Sequence, residues 1–126
     1  MSEDSEGKVE RRCATRYAVI MDAQVTDLRA HSTLRLRCSD ISLSGCYLDT
    51  LNPMEIGTPL WIHLEHGQRV FECQARVTNM IARLGMGVAF VDPVPEDQLG
   101  ILSEWVSAAA SIANPQASRF GFSAAR

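Results

Sequence analysis

TPLWIHLEHGQRVFECQARVTNM, residues 58–80, decides the fold. Across 58–65, Leu60, Ile62 and Leu64 alternate with Trp61 and His63. A period of two marks a strand with one buried face. His66-Gly67-Gln68 reads as a tight hairpin turn, and 69–80 as a second, longer strand. Downstream, 81–85 turn the chain and 86–91 (MGVAFV) make the last strand, with Gly85 and Gly87 signalling close packing or a bulge.

Upstream the same pattern continues. Residues 17–28 (YAVIMDAQVTDL) read as a strand, 29–32 as a polar turn. Residues 33–38 (TLRLRC) alternate Leu34 and Leu36 against Arg35 and Arg37, as a half-buried antiparallel strand does. Residues 39–45 (SDISLSG) are turn-like, 46–50 (CYLDT) form a short strand, and 51–57 are a loop with Pro53 and Gly57. Past Pro93 and Pro95 the period changes. Leu99, Leu102, Trp105, Val106 and Ala109 recur at helical spacing over 96–110, behind Glu96 and Asp97, which suit a helix N-terminus. Six short antiparallel strands and one helix predict an all-β chain: a barrel with a C-terminal helix packed on it, or a sandwich with an appended helix. The strand–helix alternation of a doubly wound dinucleotide-binding fold is absent.

The 126 residues suit one domain, and 46% hydrophobic residues suffice for its core. Residues 1–10 read as a flexible acidic leader and 113–126 as a flexible tail, with Phe120 and Phe122 as its two aromatic groups. A formal net charge of −3 works against binding long nucleic acid. It leaves room for a small anion in a local positive site. No apolar run is long enough for membrane insertion, and the start is too acidic for a secretory signal, so the expected location is cytoplasmic. Cys13, Cys38, Cys46 and Cys73 form no CxxC pair and read as reduced thiols, the last three as core residues. No metal is expected. His31, His63 and His66 have no evident nucleophile or carboxylate partner, and no GxSxG or GxxxxGK[ST] sequence occurs, so no catalytic residue is assigned.

Two stretches remain. Arg11, Arg12 and Arg16 crowd the segment just before the first strand. Guanidinium groups pair with phosphate bidentately and stack on flat rings. Asp40-Ile41-Ser42-Leu43-Ser44-Gly45 lies in a turn between strands. Its Asp accepts from guanine N–H donors, its Ser donates, and its Gly lets backbone approach closely. Each stretch alone has an ordinary reading, a solvated charged segment and a capped turn. Their order on this fold carries the argument.

Together they resemble the PilZ domain family over about residues 10–110. Arg12-Cys13-Ala14-Thr15-Arg16 matches that family's RxxxR, and Asp40-Ile41-Ser42-Leu43-Ser44-Gly45 its [DN]xSxxG, with no departure at a motif position. Gly85–Val91 resembles the family's late strand and helix 96–110 its C-terminal helix. The resemblance implies a six-stranded antiparallel barrel over 17–92 within a domain of residues 11–112, its ligand segment at 11–16, and cyclic di-GMP as ligand. It assigns Arg12 and Arg16 to phosphates and guanines, Asp40 to a guanine edge, Ser42 to guanine or phosphate, and Gly45 to the loop's shape. Arg11, in the position before RxxxR, goes in the family with an intercalated pair of ligands. Two stacked dinucleotides carry four phosphate charges, and a third arginine helps neutralise them.

The expected function is a non-enzymatic receptor. Ligand would order the leader and arginine segment over the barrel, and the changed surface would engage a protein effector. The alternative is a protein-interaction adaptor with no nucleotide ligand, using the exposed side of helix 96–110 and the tail. An oligonucleotide-binding barrel is disfavoured because only 6% of residues are aromatic and they form no stacking stripe. The helix, with Trp105 and Val106, is compatible with a monomer or a weak homodimer.

Overall fold

Seven elements follow one another in a computed structural model that describes residues 14–113. They are β1 (Tyr17–Asp27), β2 (Ser32–Ile41), β3 (Gly45–Asp49), β4 (Pro59–His66), β5 (Arg69–Ile81), β6 (Gly85–Phe90) and α1 (Glu96–Ala113). All strand pairs are antiparallel, and the sheet closes in the order β1-β2-β3-β6-β5-β4. Closure leaves no strand edge unpaired. The barrel with a C-terminal helix predicted from sequence is the observed fold.

The period-two pattern fills the interior. Val25 (β1), Cys38 and Ile41 (β2), Cys46 and Leu48 (β3) and Leu60, Ile62 and Leu64 (β4) are buried. Phe71, Cys73, Ala75 and Val77 from β5 and Met86, Val88 and Phe90 from β6 complete the ring. Phe71 and Phe90 meet at a ring-centroid distance of 5.0 Å. Each such large side chain contributes about 1.5–3 kcal/mol by leaving water. Helix α1 packs on β1 and β5. It buries Leu102, Trp105 and Ala109 and sets the Trp105 ring against Phe71, centroids 6.4 Å apart and planes tilted by 60°. Gln98 Oε1 accepts the Glu72 backbone N–H at 2.7 Å, and Arg69 pairs with Glu104 at 2.7 Å, so the helix is tied to β5 by polar contacts too.

Several boundaries move. Asp40 and Ile41, expected in a turn, are the last residues of β2, because Ile41 is fully buried opposite Tyr17 and Cys46. Helix α1 runs three residues past 110, through Ser111, Ile112 and Ala113, continuing the alanine run 108–110, and alanine is a strong helix former. Leu34 and Leu99 hold expected apolar positions but lie near element ends and are exposed. Gly85 and Gly87 do mark close packing. A Cβ on Gly85 would meet the Tyr47 ring, and one on Gly87 the Asn79 side chain, beside an irregularity between Val77 and Asn79. Phe120 and Phe122 fall outside the described residues, as do Arg11, Arg12 and Cys13.

The three described cysteines are buried free thiols, as expected. A hydrogen bond with Cys38, then burial, pushes the Cys46 thiol well up, and burial alone pushes Cys73 up to about 12. Both stay protonated and act as small apolar groups.

Candidate functional site

The two stretches singled out in the sequence meet at one end of the barrel. Arg16 immediately precedes β1, and Ala18 pairs with Asp40 across to β2. This register sets the Arg16 guanidinium against the Asp40 carboxylate, with Nη1 donating to Oδ1 at 2.9 Å. Both side chains remain partly exposed, at 44% and 30%. An ion pair of this kind adds little stability, so both groups stay available to a ligand.

Beyond Ile41 the chain reverses in three residues. Ser42 is 1% exposed, and its hydroxyl organises the turn. Its Oγ accepts the Ser44 and Gly45 backbone N–H groups, each at 3.1 Å. Its O–H is within 3.2 Å of both the Gly45 carbonyl and Ser44 Oγ. The Ser42 N–H donates to the Gly45 carbonyl at 2.8 Å, and Phe90 N–H on β6 donates to the Ser44 carbonyl at 2.9 Å. At Gly45 an added Cβ would collide with the Val88 carbonyl oxygen. Strand β3 lies against β6 here as only glycine allows.

The structure therefore brings Arg16, Asp40, Ser42 and Gly45 together, in two roles. Arg16 and Asp40 present charged groups to solvent, while Ser42 and Gly45 hold the backbone between them. Arg11 and Arg12 lie outside the described residues.

Pairing adds neighbours that linear reading does not single out. Asp40 faces Tyr47 on β3, and Tyr47 faces Gly87 on β6. The Tyr47 hydroxyl is buried with no hydrogen-bond partner among the described residues. In the next outward-facing row Gly45 faces Ala89, and Ala89 faces Arg76 on β5. Arg76 lies far from both motifs in sequence, and only the strand order puts it nearby, whereas Tyr47, two residues past the second motif, is set opposite Asp40 by the β2–β3 register. A depression of about 190 Å³ lies elsewhere, on the β2–β1–β4 wall, lined by Asp22, Gln24, Arg35, His63 and Glu65 among others. Its residues carry both signs of charge, and His63 Nδ1 is engaged with Glu72 at 2.6 Å. No group of three metal-ligating side chains occurs among the described residues, and no described helix is long and apolar enough to cross a membrane.

Fold and site together define a small β-barrel that presents an arginine and a carboxylate beside a tight polar turn. The sequence matches the PilZ domain over residues 10–108, and the chain belongs to that family. Among solved structures it is similar to the PilZ domain, with c-di-GMP, of YcgR from Escherichia coli, at 23% identity and a TM-score of 0.67, over 86% of this chain and 98% of that one. It is also similar to YcgR from Escherichia coli in complex with c-di-GMP, at 24% identity and 0.67, over 87% of this chain and 50% of that one. The inhibitor of motility MotI/DgrA of Bacillus subtilis aligns at 16% identity and 0.64, over 77% and 50%. The chain thus spans about half the length of these last two proteins, and at such identities the likeness is one of fold. No curated protein matches the sequence.

Proposed function

We propose that this chain is a non-enzymatic receptor for cyclic di-GMP that changes conformation on binding and signals to a protein effector. The observation that carries the reading is the Arg16–Asp40 pair, held at 2.9 Å over a turn fixed by Ser42 and Gly45. The ligand offers what such a site recognises. Its phosphodiesters are anionic acceptors for guanidinium forks, and its guanines carry N1–H and N2–H donors for a carboxylate. Asp40 gives Arg16 one oxygen, Oδ1, leaving the other to a guanine edge. Family membership and the c-di-GMP complexes of YcgR support the choice of ligand.

In this reading Arg11 and Arg12 join Arg16, and Arg11 supplies the charge for a second, stacked ligand. Ligand draws the arginine segment against the barrel, and the effector reads that rearranged surface. Calorimetric titration with cyclic di-GMP tests the proposal. Saturable binding at two ligands per chain, lost in Arg16→Ala, is expected. An inert wild-type protein, confirmed by a second binding assay, overturns it.

A further inference from the structure

The ligand motif accounts for one side of the barrel surface around Asp40 and the turn. The register shows what stands on the other side. Cys46, Val88 and Val77 pair in one row across β3, β6 and β5, and all three are buried. By strand alternation the adjacent row, Gly45, Ala89 and Arg76, faces outward. Two strand spacings separate Gly45 from Arg76, about 10 Å between backbones. Nothing larger than the Ala89 methyl belongs to that row between them.

Arg76 is exposed and makes no hydrogen bond or ion pair among the described residues. In this it differs from Arg16, Arg37 and Arg69, each of which is matched to a carboxylate. An arginine held on a strand with no counter-charge is a preformed anion contact, because no existing pair must break first. A cyclic dinucleotide carries two phosphodiesters on opposite sides of its ring. One cationic pole at the arginine segment leaves the far phosphate unmatched, unless a second pole faces it across the floor.

We infer that Arg76 is that second pole, a further ligand-binding residue reaching across the Gly45–Ala89 floor to the phosphate remote from Arg16. The inference rests on the receptor reading above and extends it to a residue outside both motifs. It also gives Ala89 a part. A bulky side chain there would rise between the turn and Arg76 and block the ligand's path across β6.

The test is calorimetric titration of the full chain with cyclic di-GMP, comparing wild type with Arg76→Gln, Arg76→Lys and Arg83→Gln. Arg83 is a second exposed arginine, in the β5–β6 turn at the opposite end of the barrel, so its variant controls for net charge. Arg76→Gln is expected to weaken binding about tenfold, the worth of one charge-assisted contact, with Arg76→Lys in between and Arg83→Gln unchanged. Arg76→Gln titrating like wild type overturns the inference and leaves the receptor reading intact. Equal losses in Arg76→Gln and Arg83→Gln also overturn it, in favour of long-range charge alone. Failure of wild type to bind overturns the receptor reading itself, and this inference with it.

Discussion

Two turns at opposite ends of the barrel use the same device with different residues. At the β1–β2 turn, Asp27 Oδ1 accepts the Arg29 and Ala30 backbone N–H groups at 2.8 and 3.1 Å. At the β2–β3 turn, Ser42 Oγ accepts the Ser44 and Gly45 N–H groups, both at 3.1 Å. One acceptor is an ionisable carboxylate on a partly exposed residue, the other a neutral hydroxyl at 1% exposure. The difference explains why the Asp40 carboxylate is free of its turn. Because Ser42 captures the turn's backbone donors, Asp40 need not, and its carboxylate is left to face Arg16. Asp27 has no such substitute and is consumed by its own turn. In the proposed receptor, an Asp before a turn is open to a ligand because another side chain does the capping.

The strongest way to break this comparison is Gly45→Ala. The added Cβ meets the backbone carbonyl of Val88 in a closed barrel, where neither strand has room to yield. A loss of about 3 kcal/mol or more is expected, read as a lowered midpoint in urea unfolding, with ligand affinity falling as β3 and β6 separate. A variant as stable as wild type would mean that the approach of β3 to β6 relaxes freely.

Arg16→Ala separates the two halves of the site from the other direction. Its pair with Asp40 is exposed, so unfolding should shift by no more than about 0.5 kcal/mol. Cyclic di-GMP affinity should fall about 100-fold, close to 2.7 kcal/mol, as a bidentate contact disappears. Loss of stability on that scale would instead make Arg16 part of the scaffold.

These two residues also show what linear reading reaches. The alternation in 58–64 and the helical spacing of Leu102, Trp105 and Ala109 announce the barrel and its helix, because burial imposes those periods on the chain. The motifs announce Arg16, Asp40, Ser42 and Gly45 as a set. Their division of labour is not legible. That Ser42 faces inward to the turn while Asp40 faces out depends on β2 continuing through Ile41, which the polar look of SDISLSG conceals. Arg76 is hidden for a different reason. It reaches Gly45's row only through the order β3-β6-β5, a crossover that local sequence does not encode.

Ser42→Ala should cost less stability than Gly45→Ala and less affinity than Arg16→Ala. Ser44 and Gly45 N–H lose their shared acceptor within a turn already held by the Ser42 N–H to Gly45 carbonyl bond. A cost of about 1–2 kcal/mol is expected, along with weaker ligand binding through the loosened loop. Hydrogen exchange at the Ser44 and Gly45 amides distinguishes this from a global change. It should speed up at those two positions more than in β5.

The subtlest contrast is one of pH. Hydrogen bonds from Ala30 and Arg29 lower the pKa of Asp27 below its ordinary 3.8. A carboxyl whose folded pKa is depressed stabilises the protein fully above its unfolded pKa, and that stability is lost as pH falls through the folded value. Asp27→Asn keeps an acceptor of the same shape but no charge. The variant should therefore unfold at a lower temperature than wild type near neutrality, and the gap should close as pH drops below 3.8. Ser42→Ala removes a neutral acceptor, so its gap from wild type should stay level over the same range. Thermal midpoints of the three proteins at stepped pH read both trends at once. A constant Asp27→Asn gap would mean that its turn, like Ser42's, is held by hydrogen-bond geometry with no contribution from charge.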